Sequence, residues 1–599
     1  MQTRYPALLL SMAMCLPGPV AADYGAVLYD PAHVLEVDIR MDADRWDQLC
    51  AQKRTFVSLF QGACFAQPFA SPFIWFSARV RIDGQVRDNV GVRKKGFLGS
   101  LDAVKPGLKI KLDEFQSNDA IDGVKRLTLN NAKQDPSLVR QCVGYQLFAQ
   151  AGVPSPRCNF ARVRVNGKNL GIYVNVEDVR KPMLGRHFTN TGGNLYEGTV
   201  SDFHPVLVDT FEAQTNEEAN DRSDLQLVIA ALGASDADLP AALGAIVDLD
   251  AFMTFWAMEA LVGAWDGYAG NRNNFYLYRN PSTGKFHFIP WGIDTILSDG
   301  YPIAALDPAA NKAVFAYSAI TRRLIDLPQM RARYLATMQT LLASVWNEPA
   351  ILAEIDRMEA LLGPYTGSLS ASTASVRNFV NAQRALVAQE LADGCPEFPP
   401  LTIVDFCLVR NGTLSGSFVA TWGTAGTAAP YTSGASALRG RIGGRALSSD
   451  AGWADAGPDV ANPNAHEGFL NLYLELSNGK RAVLTATLDP TQIVPGASLA
   501  IDGQEVDATL AYLDGVTPSA YLDQGKLKVN FASTKPGGKV CGRLEADTYF
   551  FSFALLAGGT PAQSVASGPG LPGSFGEPDA VKQNPGGIMR QCQPGKGAQ

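Results

Sequence analysis

The sequence predicts an α+β fold: an antiparallel β-rich lobe, then a helical lobe, then a separate β-sandwich-like domain. Three observations predict it. Before residue 200, short alternating runs are joined by Asp-Gly and Asn-Gly turns; between 222 and 392 apolar residues recur at helical spacing; past 395–412 helical runs cease and Gly, Ala, Ser and Thr dominate around short strands. A chain of 599 residues is too long for one core. The expected divisions are a signal segment at 1–22, an α+β domain at 23–395, a β-sandwich-like domain at 396–555 and a Gly/Pro-rich, largely disordered tail at 556–599.

In chain order, residues 33–40 alternate as a strand, and 41–49 read as a helix entered through an aspartate cap. A hairpin follows at 76–92 around Asp83-Gly84, leading into the basic, glycine-punctuated loop 91–100 and a strand at 105–112 with Lys109 and Lys111 on one face. This loop and lysine read either as a phosphate cradle or as a solvated strand face. A strand at 126–131 ends in Asn130 and Asn131, and a helix is expected from Asp135 to about Ala151, with aspartate as its cap. A hairpin around Asn166-Gly167 covers 160–176, and 194–198 forms another short strand. Helices are then expected at 222–232, 249–263, 327–346, 348–363 and 370–392. Strands at 470–476, 482–487, 526–531 and 540–546 mark the last domain.

Composition narrows the function. A formal net charge of -7 gives no support for a nucleic-acid surface. Arg4, an apolar run from Ala7 to about Leu16, and small residues up to Ala22 match a secretory signal with cleavage near Ala22, implying a secreted, periplasmic or cell-surface protein. No later segment has about 18 uninterrupted apolar residues, so no transmembrane span is expected. Apart from Cys15, the cysteines are Cys50, Cys64, Cys142, Cys158, Cys395, Cys407, Cys541 and Cys592, an even set that reads as disulfides. Nearness in sequence suggests 50–64, 142–158 and 395–407, leaving 541–592; no CxxC spacing favours zinc.

The chemistry concentrates at 265–294. Two alternating runs, 274–278 and 285–289, flank the turn Asn280-Pro-Ser-Thr-Gly284 and form a hairpin. Its flanks bring Asp266, Asn271 or Asn274, and Asp294 together, oxygen ligands of the kind that hold hard divalent cations beside phosphates. Asp266 also reads as a turn aspartate, and Asp294 as a cap for the run that follows it.

Several blocks in order resemble the spore coat protein H (CotH) family of atypical secreted or coat-associated kinases, over about the first 370 residues. They include Gly91-Val-Arg-Lys-Lys-Gly, Leu127-Thr-Leu-Asn-Asn with Asp135-Pro-Ser-Leu, Gly171-Ile-Tyr-Val-Asn-Val-Glu177, Asn274-Phe-Tyr-Leu-Tyr and Phe288-Ile-Pro-Trp-Gly-Ile-Asp294. The resemblance implies an atypical kinase-like fold that uses ATP with Mg²⁺ or Mn²⁺ to phosphorylate exported proteins. It implies Asp266 and Lys109 as catalytic, Arg93, Lys95, Lys109 and Glu177 as nucleotide-binding, and Asn271, Asn274 and Asp294 as metal-binding. Two positions depart from the family: Gly292 stands where an aspartate is usual, and Gln141 where a glutamate is common. Gly292 favours an alternative, a weak or inactive kinase-fold scaffold or adhesion protein whose β-domain binds a partner. A third reading is a surface protein whose cleft takes another anionic compound.

Overall fold

The computed structural model describes residues 24–52, 54–117, 119–298, 312–398, 401, 406–425, 433–458, 468–503, 505–514 and 519–551. The expected signal segment, the tail at 556–599 and Cys592 lie outside them.

The β-rich lobe is a closed seven-stranded barrel. Its strands are β1 (Val34–Arg40), β2 (Phe76–Ile82), β3 (Gln85–Lys95), β4 (Gly107–Lys111), β5 (Arg126–Asn130), β6 (Cys158–Val165) and β7 (Lys168–Val176). Neighbours pair antiparallel except at the closure, where β1 and β6 run parallel from Val34↔Phe160 to Ile39↔Val165. Both tight hairpins use paired left-handed residues, Asp83-Gly84 (φ 45° and 83°) and Asn166-Gly167 (φ 49° and 85°), as strand twist requires. Alternation sends Val90, Val92, Leu108, Ile110, Leu127 and Leu129 into the barrel core. It therefore leaves Arg93, Lys95, Lys109 and Lys111 on the outer face.

The helix expected from Asp135 begins instead at Arg140 and runs to Gln150. Leu138, at φ 67°, breaks helical geometry between them. Asp135 ties that turn by accepting from the Ser137 and Arg140 amides at 3.1 and 3.0 Å.

Beyond the barrel, helices Ser223–Leu232, Leu249–Leu261, Pro328–Ser344, Glu348–Thr366 and Ser370–Asp393 occupy the expected spans. They enclose a four-stranded sheet ordered β11-β10-β8-β9, from β8 (Leu195–Gly198), β9 (Glu212–Ala213), β10 (Phe275–Asn280) and β11 (Lys285–Pro290). The central hairpin pairs Phe275↔Pro290 through Asn280↔Lys285. Helix Leu249–Leu261 packs on it through Phe252 and Phe288, whose rings lie 4.8 Å apart. Among the described residues, no helix is long and apolar enough to cross a membrane.

Where a sandwich-like domain is expected, nine strands from Leu408–Trp422 to Lys539–Phe551 close into a second barrel. The first and last strands pair from Leu408↔Phe551 to Thr421↔Lys539, so neither is left as an edge. Its interior is mostly Leu, Ala, Val and Ile, with Phe418 and Trp422.

The disulfides correct two expected pairings. Cys142–Cys158 forms, but Cys64 bonds Cys407, with Cα atoms 5.7 Å apart, and Cys50 and Cys395 are free. The physical reason is the path of residues 54–75, which leave the first barrel to pack on the second: Phe56 stacks on Tyr521 at 4.7 Å, and the Gly62 amide donates to the Leu408 carbonyl at 3.0 Å. Cys541 is disulfide-bonded, while the expected 541–592 pairing falls outside the described residues.

Candidate active site

A cavity of about 420 Å³ lies between the outer face of the first barrel and the central hairpin. One wall is cationic and carried by strands. Arg93 on β3 stands opposite Lys109 on β4, and Lys109 opposite Thr128 on β5. Lys109 forms an ion pair with Asp178 at 3.3 Å, and Arg180 and Arg126 approach the same carboxylate at 3.7 and 3.9 Å. Burial alone would raise the Asp178 carboxyl, but Lys109, Arg180 and Arg126 hold it well below the usual carboxylate range. Among the described residues Lys95 has no such carboxylate partner. Its Nζ donates to Asn130 Oδ1 at 2.6 Å, and Asn130 Nδ2 donates to Gln141 Oε1 at 2.9 Å. Burial, reinforced by nearby Lys109, lowers the Lys95 ammonium below its ordinary range, against the attraction of Asp294.

The facing wall is made of turns. Asp266 follows the apolar helix Leu249–Leu261, whose Glu259 braces what comes next by accepting from the Tyr268 and Ala269 amides, both at 2.8 Å. Burial pushes the Glu259 carboxyl up to about 8, against those two bonds. Asp266 accepts from Asn271 and Asn274 at 2.7 Å each, and from Asn273 at 3.3 Å. Its carboxyl is raised by burial, with the three amides opposing. Asn274, at φ 53°, gives Nδ2 to Asp266 and turns its side-chain oxygen Oδ1 toward Gly292, where a Cβ would meet it at 2.4 Å. Gly292 itself is left-handed at φ 55°. Asp294 closes this wall. Burial raises its carboxyl, Lys95 opposes, and Asp135 and Asp266 add to the rise. Asp294 caps no helix among the described residues.

The structure thus gathers Asp266, Arg93, Lys95, Lys109, Asn274 and Asp294 around one cavity. Two residues of the expected set do not reach it. Glu177, next to Asp178 in sequence, is buried against Arg157, with Nη2 at 2.9 Å, and against Arg186. The Asn271 side chain lies behind Asp266 as its hydrogen-bond donor. Sequence reasoning missed Asn273, Asp178 and Arg54. The run Asn271-Arg-Asn-Asn274 could have signalled Asn273; Asp178 needed the barrel register, and nothing in the sequence marks Arg54.

A family match covers most of the residues that line this cavity. Residues 91–388 match the profile of the family described as CotH kinase protein. Inner spore coat protein H of Bacillus subtilis (strain 168) is 27% identical over 269 residues, covering 42% of this chain and 73% of its own. Invasin CotH7 of Rhizopus delemar is 20% identical over 251 residues, covering 39% of this chain and 42% of its own. A solved Helicobacter pylori proinflammatory kinase, CtkA, aligns over 48% of this chain and 95% of its own at 9% identity and a TM-score of 0.25, too distant for residue correspondences. Through residues 91–388, the chain belongs to the CotH kinase protein family.

Proposed function

We propose that this chain is an exported protein kinase that transfers the γ-phosphate of ATP to Ser or Thr hydroxyls of proteins. The observation that carries the reading is one cavity in which strand-borne cations face Asp266, Asn274 and Asp294. Phosphoryl transfer needs this pairing of phosphate-neutralising charge and positioned carboxylates more than covalent chemistry.

The donor set fits a hard divalent cation. No side chain donates a hydrogen bond to the buried Asp294 carboxylate among the described residues, and the Asn274 oxygen is kept free by what its nitrogen does. Asp294 and Asn274 would hold Mg²⁺ or Mn²⁺, which when bound neutralises phosphate oxygens. Lys95 and Lys109 bind the phosphate chain. Asp266, fixed by its amide donors, orients the acceptor hydroxyl and takes its proton as the new O–P bond forms and the bond from the γ-phosphorus to ADP breaks. The disulfides and the expected signal segment support an oxidising compartment outside the cytoplasm.

Gly292 carries a second reading, nucleotide binding without transfer: the aspartate usual there is missing, and at this left-handed position a Cβ would meet Asn274 Oδ1 at 2.4 Å. One experiment separates the two. Purified protein is given γ-labelled ATP, Mg²⁺ or Mn²⁺ and a generic acceptor, with Asp266→Ala and Asp294→Ala alongside. Label that both variants lose supports the kinase. An ATP-induced rise in melting temperature without label supports the second reading, and neither signal overturns both.

A further inference from the structure

The cavity also holds two guanidinium groups that form no ion pair among the described residues. Arg54 and Arg93 both line it, and neither has a hydrogen bond or ion pair among the described residues; the Nε of each is buried without a partner. Each is instead laid against aromatic rings. Arg54 lies 5.1 Å from the centre of Phe97 and 5.7 Å from Phe73, and Arg93 lies 4.7 Å from Trp75. Arg126 and Arg180 of the same cavity, by contrast, are ion-paired to Asp178. Burial lowers Arg54, and the nearby Arg93 charge lowers it further, while Glu212 and Glu197 attract it from beyond ion-pairing distance. Burial lowers Arg93 as well, against attraction from Asp178, Glu212 and Glu197. Two like charges, half-buried and attracted by carboxylates only from a distance, are costly unless an anion joins them. Aromatic stacking fixes the guanidinium planes and leaves their N–H donors unspent, and such planar donors match phosphate oxygens in pairs.

We propose that Arg54 and Arg93 form a subsite for a phosphoryl group. Arg54 comes from outside the family-matched residues 91–388, and the C-terminal barrel places it. Thr55 packs so closely on Gly503 that a Cβ there would meet it at 3.0 Å, Phe56 stacks on Tyr521, and Cys64–Cys407 bonds the segment to that barrel. The second barrel thereby contributes to the site without lining it. The subsite deepens the kinase reading and rests on it only for the source of the phosphoryl group: the nucleotide's own chain, or a phosphate already on the acceptor.

The test is calorimetric titration of the full chain with pyrophosphate, ADP, and inorganic phosphate added to ADP-saturated protein, for wild type, Arg54→Gln and Arg54→Lys. Arg54→Gln is expected to weaken pyrophosphate binding on the order of tenfold to a hundredfold, with Arg54→Lys between. An equal loss for ADP assigns the subsite to the nucleotide chain. Unchanged ADP affinity, with phosphate binding to the ADP-saturated protein lost, assigns it to the acceptor. Pyrophosphate binding that depends on Arg54 in a protein that does not bind ADP would sink the kinase reading and leave the subsite standing. Pyrophosphate and phosphate that bind alike to wild type and Arg54→Gln, or not at all, overturn the subsite. Should Arg54→Gln not fold, phenylglyoxal labelling of Arg54 in wild type decides: protection by pyrophosphate is expected, and unimpeded labelling overturns the proposal.

Discussion

The two walls of the cavity are built on opposite principles. The cationic wall is a side effect of a barrel: the β3–β4 ladder sets Arg93 opposite Lys109, whatever those side chains do. The facing wall stands just beyond the end of a ladder, the β10–β11 hairpin, whose last bond runs from the Trp291 amide to the Asn274 backbone carbonyl at 3.1 Å. Arg272, Asn274 and Gly292 are all left-handed, and hydrogen bonds from Asn side chains and to Glu259 hold the turns in place. On the strand wall a side chain can be removed and the scaffold remains. On the turn wall the side chains are the scaffold, so function and stability should fail together there and separately on the strands.

The largest effect that could break this contrast is expected at Asp266. Asp266→Ala leaves the amides of Asn271, Asn273 and Asn274 without their acceptor. Phosphoryl transfer should fall about 10²- to 10⁴-fold, and stability by about 1–3 kcal/mol. Kinetics with urea denaturation on the same sample checks both. Lost transfer at full stability would show that the turns hold themselves.

On the strand wall, Lys95→Met should weaken ADP binding by about 1.5–3 kcal/mol with little change in the urea midpoint. Lys109→Met should cost less affinity, because Lys109 is already engaged by Asp178, and more stability, because it uncovers part of a buried charge. A reversed order of the two affinities would mean that the Asp178 pair opens when nucleotide binds.

A smaller effect sharpens the contrast at one atom. Gly292→Ala introduces a Cβ 2.4 Å from Asn274 Oδ1 at a φ of 55°. A loss of about 1–3 kcal/mol is expected, with cation-dependent nucleotide binding weakened as Asn274 moves. Unchanged denaturation would show that the wall is not built around this glycine.

The same division explains what the sequence disclosed. Lys109 and Lys111 on one strand face followed from alternation, and the β10–β11 hairpin from its Pro/Gly turn, because both are local periodicities. Asp266, Asn274 and Asp294 were legible only as oxygen donors flanking a hairpin. The partner of Lys109 was not legible: Asp178 reaches it because β5 pairs with both β4 and β7, a register no local pattern encodes. The Cys64–Cys407 bridge was missed for a related reason, since pairing by nearness cannot foresee a segment that crosses to another barrel. Nor does composition distinguish a sandwich from a barrel; only the pairing of first and last strands does.

The smallest effect lies where strand wall and helix meet. Gln141 accepts from Asn130, which fixes the Asn130 oxygen on Lys95, while Gln141 Nε2 is buried without a partner. In its proposed role Lys95 would bind phosphate only as the ammonium, and burial has lowered its proton affinity. Affinity for ADP should therefore be lost as pH rises through a value below the ordinary lysine range near 10.4, whereas an unperturbed lysine would hold it to that point. Gln141→Glu keeps an acceptor for Asn130 and replaces the orphaned donor with a carboxylate oxygen. The added negative charge favours the ammonium, so the alkaline limit should move up by about half a unit to one unit. Gln141→Met removes the acceptor instead, and should weaken binding at every pH without moving the limit upward. If all three proteins share one pH profile and one affinity, Gln141 is packing alone, and Lys95 is set by its strand like the rest of that wall.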